Sequence, residues 1–210
     1  MADSPIRAVV GLGNPGAEYE RTRHNAGFWF VDRLAEAAHA GFRVESKFLG
    51  ALAKARVGGQ DLLLLKPATF MNRSGQAAQA LAAFYKLAPE QILVAHDELD
   101  LPPGTARLKR GGGHGGHNGL RSLHQHLGEA YARLRIGIGH PGHKDRVLEY
   151  VLNRPGAADQ AAIDDALARA QAALQTLLAS GWDKAAQQLH TDAEKAARPP
   201  KAGKAEPPGD

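Results

Sequence analysis

Apolar residues recur along this chain in two rhythms: short continuous runs, and stretches spaced three to four residues apart. The runs over Arg7–Leu12, Gln91–Ala95 and Ala132–Ile138 read as strands, the first of them buried. Thr105–Lys109 reads as a shorter strand ahead of a glycine run. Phe48–Val57 and Asp61–Lys66 flank Gly58-Gly59, which signals a hairpin. Helical spacing marks Ala26–Ala40, where Phe28, Val31, Leu34, Ala35 and Ala38 share a stripe. Ser74–Tyr85, Asn118–Leu127, Lys144–Leu152 and Ala157–Ala179 read as further helices. Strands alternating with helices predict a single α/β domain over residues 1–190, a mixed sheet with helices on both sides. From 191 to 210 the chain turns to Lys, Ala, Pro and Gly, with four of the twelve prolines. That composition cannot build a core and predicts a disordered tail.

Polar residues gather where the predicted strands end. The loop Gly11–Phe28 holds Asn14, Tyr19, His24 and Asn25 with no apolar pattern to explain them. Its start, Gly11-Leu12-Gly13-Asn14-Pro15-Gly16, matches the dinucleotide fingerprint G-x-G-x-x-G. That motif needs a helix opening at the third glycine, whereas a polar segment intervenes before the helical spacing begins, with Asn25 placed to cap it. A nucleotide cofactor is therefore not expected. His24 becomes a base if a carboxylate orients it, and Asp97, just past Gln91–Ala95, offers one. No nucleophile elbow G-x-S-x-G and no cysteine are present, so such a pair would act on water.

Asn72 and Asn118 stand at the starts of two helices. Each reads as a cap or as an uncharged amide at the same rim, able to bind a peptide or steady an oxyanion. Lys66-Pro67 with Phe70 and Met71 adds an apolar lip. Gly111–Asn118, GGGHGGHN, has three readings: a metal-binding tract, a flexible connection, or a mobile basic loop closing over phosphates. Lys109, Arg110 and Arg121 beside it favour the third. His96-Asp97-Glu98 fits the H-x-E of zinc deaminases, but their cysteine partners are missing.

Charge adds a partner class. The net charge is +4, and the charges of the last twenty residues cancel, so the excess belongs to the predicted domain. Eight Lys/Arg and six of the ten histidines lie between Arg107 and Arg146, which suits a polyanion. Hydrophobic content is 43%, enough for a sizeable core. No apolar run is long enough to cross a bilayer, the N-terminus lacks a signal-peptide layout, and the absence of cysteine excludes disulfides. A soluble cytoplasmic protein is expected.

Four segments, 11–28, 66–77, 96–122 and 133–141, together resemble bacterial peptidyl-tRNA hydrolase, in the family's order, with the resemblance covering residues 5–190. The resemblance implies a monomeric, metal-free, cofactor-free enzyme that cleaves the ester joining a peptide to the terminal adenosine of tRNA. It implies His24 as the general base on water and Asp97 as the group that orients it. Asn14 would read the blocked amino group, and Asn72 and Asn118 would position substrate and water. Tyr19, Phe70 and Met71 would line the site, with Lys109 and Arg135 holding the 5′-phosphate and tRNA backbone. A non-catalytic RNA-binding protein on the same fold would need only the basic band and could dispense with His24 and Asp97.

Overall fold

Ala8, Val9 and Val10 have no exposed surface in β1 (Ala8–Gly11), as an uninterrupted apolar run requires. The computed structural model describes residues 5–196. Within them β1 lies in a mixed sheet, between parallel neighbours β4 (Gln60–Pro67) and β5 (Ile92–Glu98). On one side β7 (Ala132–Gly137) pairs parallel to β5 and carries β6 (Ala106–Arg110) antiparallel at the edge. On the other, β3 (Gly50–Val57) runs antiparallel to β4, with β2 (Arg43–Glu45) outside it. Among the described residues the order is β2-β3-β4-β1-β5-β7-β6. Gly58 and Gly59 turn the β3–β4 hairpin with φ of +56° and +81°, the conformation the glycine pair was expected to supply.

Helices cover both faces. On one side α1 (Ala26–Ala37), α4 (Val147–Val151), α5 (Ala157–Ser180) and α6 (Trp182–Ala196) bury Phe30, Val151, Leu167 and Leu189 against Leu93 and Leu134. On the other, α2 (Ser74–Tyr85) and α3 (Asn118–Leu127) bury Leu81 and Leu123 against Val10 and Val94. Successive strand residues feed opposite cores, the period-2 rule of a sheet. Gly27 shows how closely α1 sits on the strand ends. A Cβ there would stand 2.2 Å from the Ala95 carbonyl oxygen and 2.4 Å from the Leu12 nitrogen, so only glycine lets the helix this near.

Several boundaries differ from expectation. Phe48 is not in a strand; it ends a 3-10 turn and packs on Phe84 and Tyr85. β2 has no periodic signal, since its three residues lie at an edge with Val44 exposed. Residues 144–152 divide into a 3-10 turn and the short α4. After α5, Gly181 breaks the chain at φ +88° and α6 follows, held through Ala185 and Leu189. α6 runs through His190 to Ala196, past the point where the tail was expected to begin. The rest of that expected tail, from 197 onward, lies outside the described residues.

Candidate active site

The chain leaves β1 toward α1 on one face and leaves β4 toward α2 on the other. A crevice therefore opens at the carboxyl ends of these parallel strands, where α/β sheets place ligands. Asp97 belongs to β5 itself, opposite Ile136 of β7, rather than to the loop beyond it. Its side chain is 2% exposed. Both carboxylate oxygens approach Nδ1 of His24, at 3.0 and 2.9 Å. Oδ1 also meets Nε2 of His117 at 2.9 Å.

The tautomers follow from the backbone. His117, not Asn118, caps α3: its Nδ1 accepts from the N–H groups of Gly119 (3.1 Å) and Leu120 (3.4 Å). An acceptor at Nδ1 puts the proton of neutral His117 on Nε2, which donates to Asp97. His24 likewise donates from Nδ1, and its Nε2 lone pair has no partner among the described residues. That is the arrangement of a carboxylate-oriented general base.

The electrostatics are consistent with it. Burial disfavours a charged His24, but the adjacent Asp97 carboxylate and its hydrogen bond outweigh this and raise the pKa above 6.5. Burial also works against the Asp97 charge, yet the two histidines hold it well below the usual carboxylate range. His96, wholly buried behind them, is pushed down to about 3 by burial and by the nearby His117. It is therefore neutral, and its Nδ1 donates to the Asp97 backbone carbonyl at 2.8 Å.

Asn14 is buried with its orientation set by the backbone. Its Oδ1 accepts from the Met71 N–H at 2.8 Å, so its Nδ2 is the free end, a donor. Asn25 does not cap α1 as expected. Its Oδ1 accepts from the Asn14 N–H (2.8 Å) and its Nδ2 donates to the Asn14 carbonyl (2.9 Å), locking that turn. Met71 is not at the rim where it was expected. It is 4% exposed and packs in the α2–α3 core, so it forms no apolar lip, and its N–H donates to Asn14.

Of the remaining expected residues, four sit on turns or at a helix start and two on the strands β6 and β7. Tyr19 and Phe70 meet edge to face with centroids 6.5 Å apart, and Phe70 is 58% exposed. Asn72 is exposed in the 3-10 turn Met71–Arg73 and does not cap α2. Asn118 is exposed and its Oδ1 accepts from Arg121 at 3.2 Å. Lys109 lies on β6 opposite Arg133, and Arg135 lies opposite Arg107, so these four share one sheet face. Lys109 is exposed. Arg135 donates its Nε to Glu98 at 2.9 Å, which leaves its terminal nitrogens for an anion. His117 was legible only as a member of the glycine tract. Nothing local revealed its pairing with Asp97.

His24, Asp97 and His117 place three ligand-type atoms within 4.8 Å of one another, as a metal site would. The donor set does not fit one. To ligate through Nε2, His117 must carry its proton on Nδ1, which faces the N–H groups of Gly119 and Leu120. The dinucleotide fingerprint also fails geometrically, since α1 opens at Ala26 and not at Gly16.

The family model described as peptidyl-tRNA hydrolase matches residues 8–198. The chain belongs to this family. A peptidyl-tRNA hydrolase of Neisseria meningitidis is 57% identical over 187 residues, covering 89% of this chain and 97% of the relative. One from Acidithiobacillus ferrooxidans is 58% identical over 185 residues, with 88% and 98% covered. The crystal structure of peptidyl-tRNA hydrolase from Acinetobacter baumannii superposes with a TM-score of 0.86 at 49% identity, covering 88% of this chain and 94% of that one. Family members thus share the whole mixed-sheet domain, and not a single motif.

Proposed function

We propose that this chain hydrolyses the ester between peptide and terminal adenosine in peptidyl-tRNA, with His24 as general base and Asp97 as its orienting group. The family membership supports the activity. The observation that carries the residue roles is the grip of Asp97 on His24 Nδ1, which leaves Nε2 without a partner among the described residues. A water oxygen attacks the ester carbonyl carbon while His24 Nε2 takes its proton. Collapse of the tetrahedral intermediate breaks the ester C–O bond, and the proton returns to the departing ribose oxygen. Asp97 stabilises the transient imidazolium. Tyr19 and Phe70 hold the adenosine and peptide ends, with Asn72 and Asn118 positioning substrate and water.

Asn14 supplies discrimination. Because its free end is a donor, it pairs with a peptide carbonyl next to the scissile ester. A free aminoacyl-tRNA offers an ammonium there, which has only donors and leaves the Asn14 amide unpaired. In this reading the catalytic unit is the expected domain extended to the end of α6, and the enzyme works as a cytoplasmic monomer. Among the described residues no helix is long and apolar enough to cross a membrane.

Lys109 and Arg135 take the tRNA phosphates. Lys109→Ala is expected to raise KM while leaving kcat nearly unchanged. It should also reduce the slope of log KM against log salt by about one phosphate contact. An unchanged KM and slope would reject this role. Turnover in excess EDTA is expected to equal turnover without it. A loss reversed by added zinc would point instead to a metal at His24, Asp97 and His117.

A further inference from the structure

Arg133 is 2% exposed in β7, yet no carboxylate pairs with it among the described residues. A buried guanidinium needs acceptors for its donors. Nη1 donates to the Gly113 carbonyl at 2.7 Å, and Nη2 donates to the Gly112 carbonyl and meets Nε2 of His124 at 3.1 Å. The ring of Tyr131 lies 5.0 Å from its central carbon. Its partners are thus two successive carbonyls of the glycine loop and a histidine of α3. Burial and the charge of Arg133 lower the His124 pKa, which keeps that histidine a neutral acceptor.

The loop also has bonds of its own: the Gly111 N–H donates to the Tyr131 carbonyl at 3.2 Å, the His117 N–H to the His114 carbonyl at 2.9 Å, and the Gly116 N–H to His114 Nδ1 at 3.1 Å. Gly111, Gly112, Gly115 and Gly116 have positive φ, and a Cβ added at Gly113, Gly115 or Gly116 would touch nothing. At those three positions the loop is unpacked, and hydrogen bonds define its path there. One end is fastened by Arg133 together with the Gly111–Tyr131 backbone bond. The other ends at His117, which caps α3 and donates to Asp97. A planar fork spanning neighbouring carbonyls sets a direction as well as a distance.

We propose that Arg133 is a positioning residue for the reaction: by holding the Gly112 and Gly113 carbonyls it sets the path of the loop that delivers His117 to Asp97. Its burial keeps it from the substrate, in contrast to its exposed cross-strand neighbour Lys109. The proposal rests on the catalytic reading above only in its last step, from Asp97 to His24.

The test compares Arg133→Met and Arg133→Lys with the wild-type enzyme on a defined peptidyl-tRNA, together with the ¹⁵N imidazole signals of His117 without substrate. Arg133→Met is expected to lower kcat by about 10-fold to 100-fold with KM and its salt dependence unchanged. His117 should lose the shift pattern of an Nε2-protonated ring. Arg133→Lys should recover part of both. In the double variant with His117→Ala, Arg133→Met should add no further loss of kcat. A raised KM and a reduced salt slope at wild-type kcat would make Arg133 a phosphate ligand and overturn the proposal. Lower thermal stability with wild-type kcat and His117 signals would reduce it to a structural role and overturn it too. The His117 signals are read without turnover, so they answer for Arg133 even if His24 is not the base. Should Arg133→Met not fold, the Lys variant must still show an intermediate loss of kcat and an altered His117 pattern.

Discussion

Replacing His24 by alanine is expected to lower kcat on an N-blocked aminoacyl-tRNA by about 10²–10⁴-fold, the usual contribution of a positioned general base. KM should barely move, because the phosphates and the peptide are held by other residues. Circular dichroism and the unfolding midpoint should stay close to wild type, since the ring lies at the crevice and outside both apolar cores. The wild-type pH profile gives a second check. His24 acts only when Nε2 is unprotonated, so kcat/KM should fall as pH drops through its pKa. Asp97 raises that pKa, so the inflection should lie above 6.5. Near-normal turnover by the alanine variant would sink the assignment, and an inflection below 6.5 would contradict the role of Asp97.

Asp97→Asn is expected to be as damaging, by about 10³–10⁴-fold, because it imposes the wrong tautomer on His24. The direction follows from His117. Its Nδ1 is committed to the N–H groups of Gly119 and Leu120, so its Nε2–H demands an acceptor. The introduced amide must turn its carbonyl to His117 and its NH₂ to Nδ1 of His24. His24 then carries its proton on Nε2 and cannot accept one from water. Removing His117 frees the amide to turn around. The double variant Asp97→Asn with His117→Ala should therefore be more active than Asp97→Asn alone. Equal or lower activity in the double variant would refute this account of the hydrogen-bond directions.

Both expectations depend on contacts of very different legibility. The pairing of His24 with Asp97 was readable because each sits where a buried run ends, and strand ends in a parallel sheet share a rim. Asn14 was readable for the same reason, but not which end of its amide is free, since that depends on Met71 fifty-seven residues away. Asn25 looked like a cap because capping residues are defined by their local neighbours. In the fold its side chain found a better partner in the Asn14 backbone. α6 was missed because its polar composition hides two buried positions, Ala185 and Leu189.

The sequence by itself determined most of the strands and helices, the hairpin, the family and the residues able to do the chemistry. The elements and the hairpin rest on periodicity and on the φ that glycine permits, the chemistry on side-chain type, and the family on the resemblance of four motif segments, all of them local in the chain. Only the tertiary structure decided which groups meet. It put His117 on Asp97 across twenty residues, withdrew Met71 into the core, and gave Arg135 the Glu98 carboxylate. The reason is physical: hydrogen-bond partners and tautomers depend on the distances between segments, and those exist only once both cores have packed against the sheet.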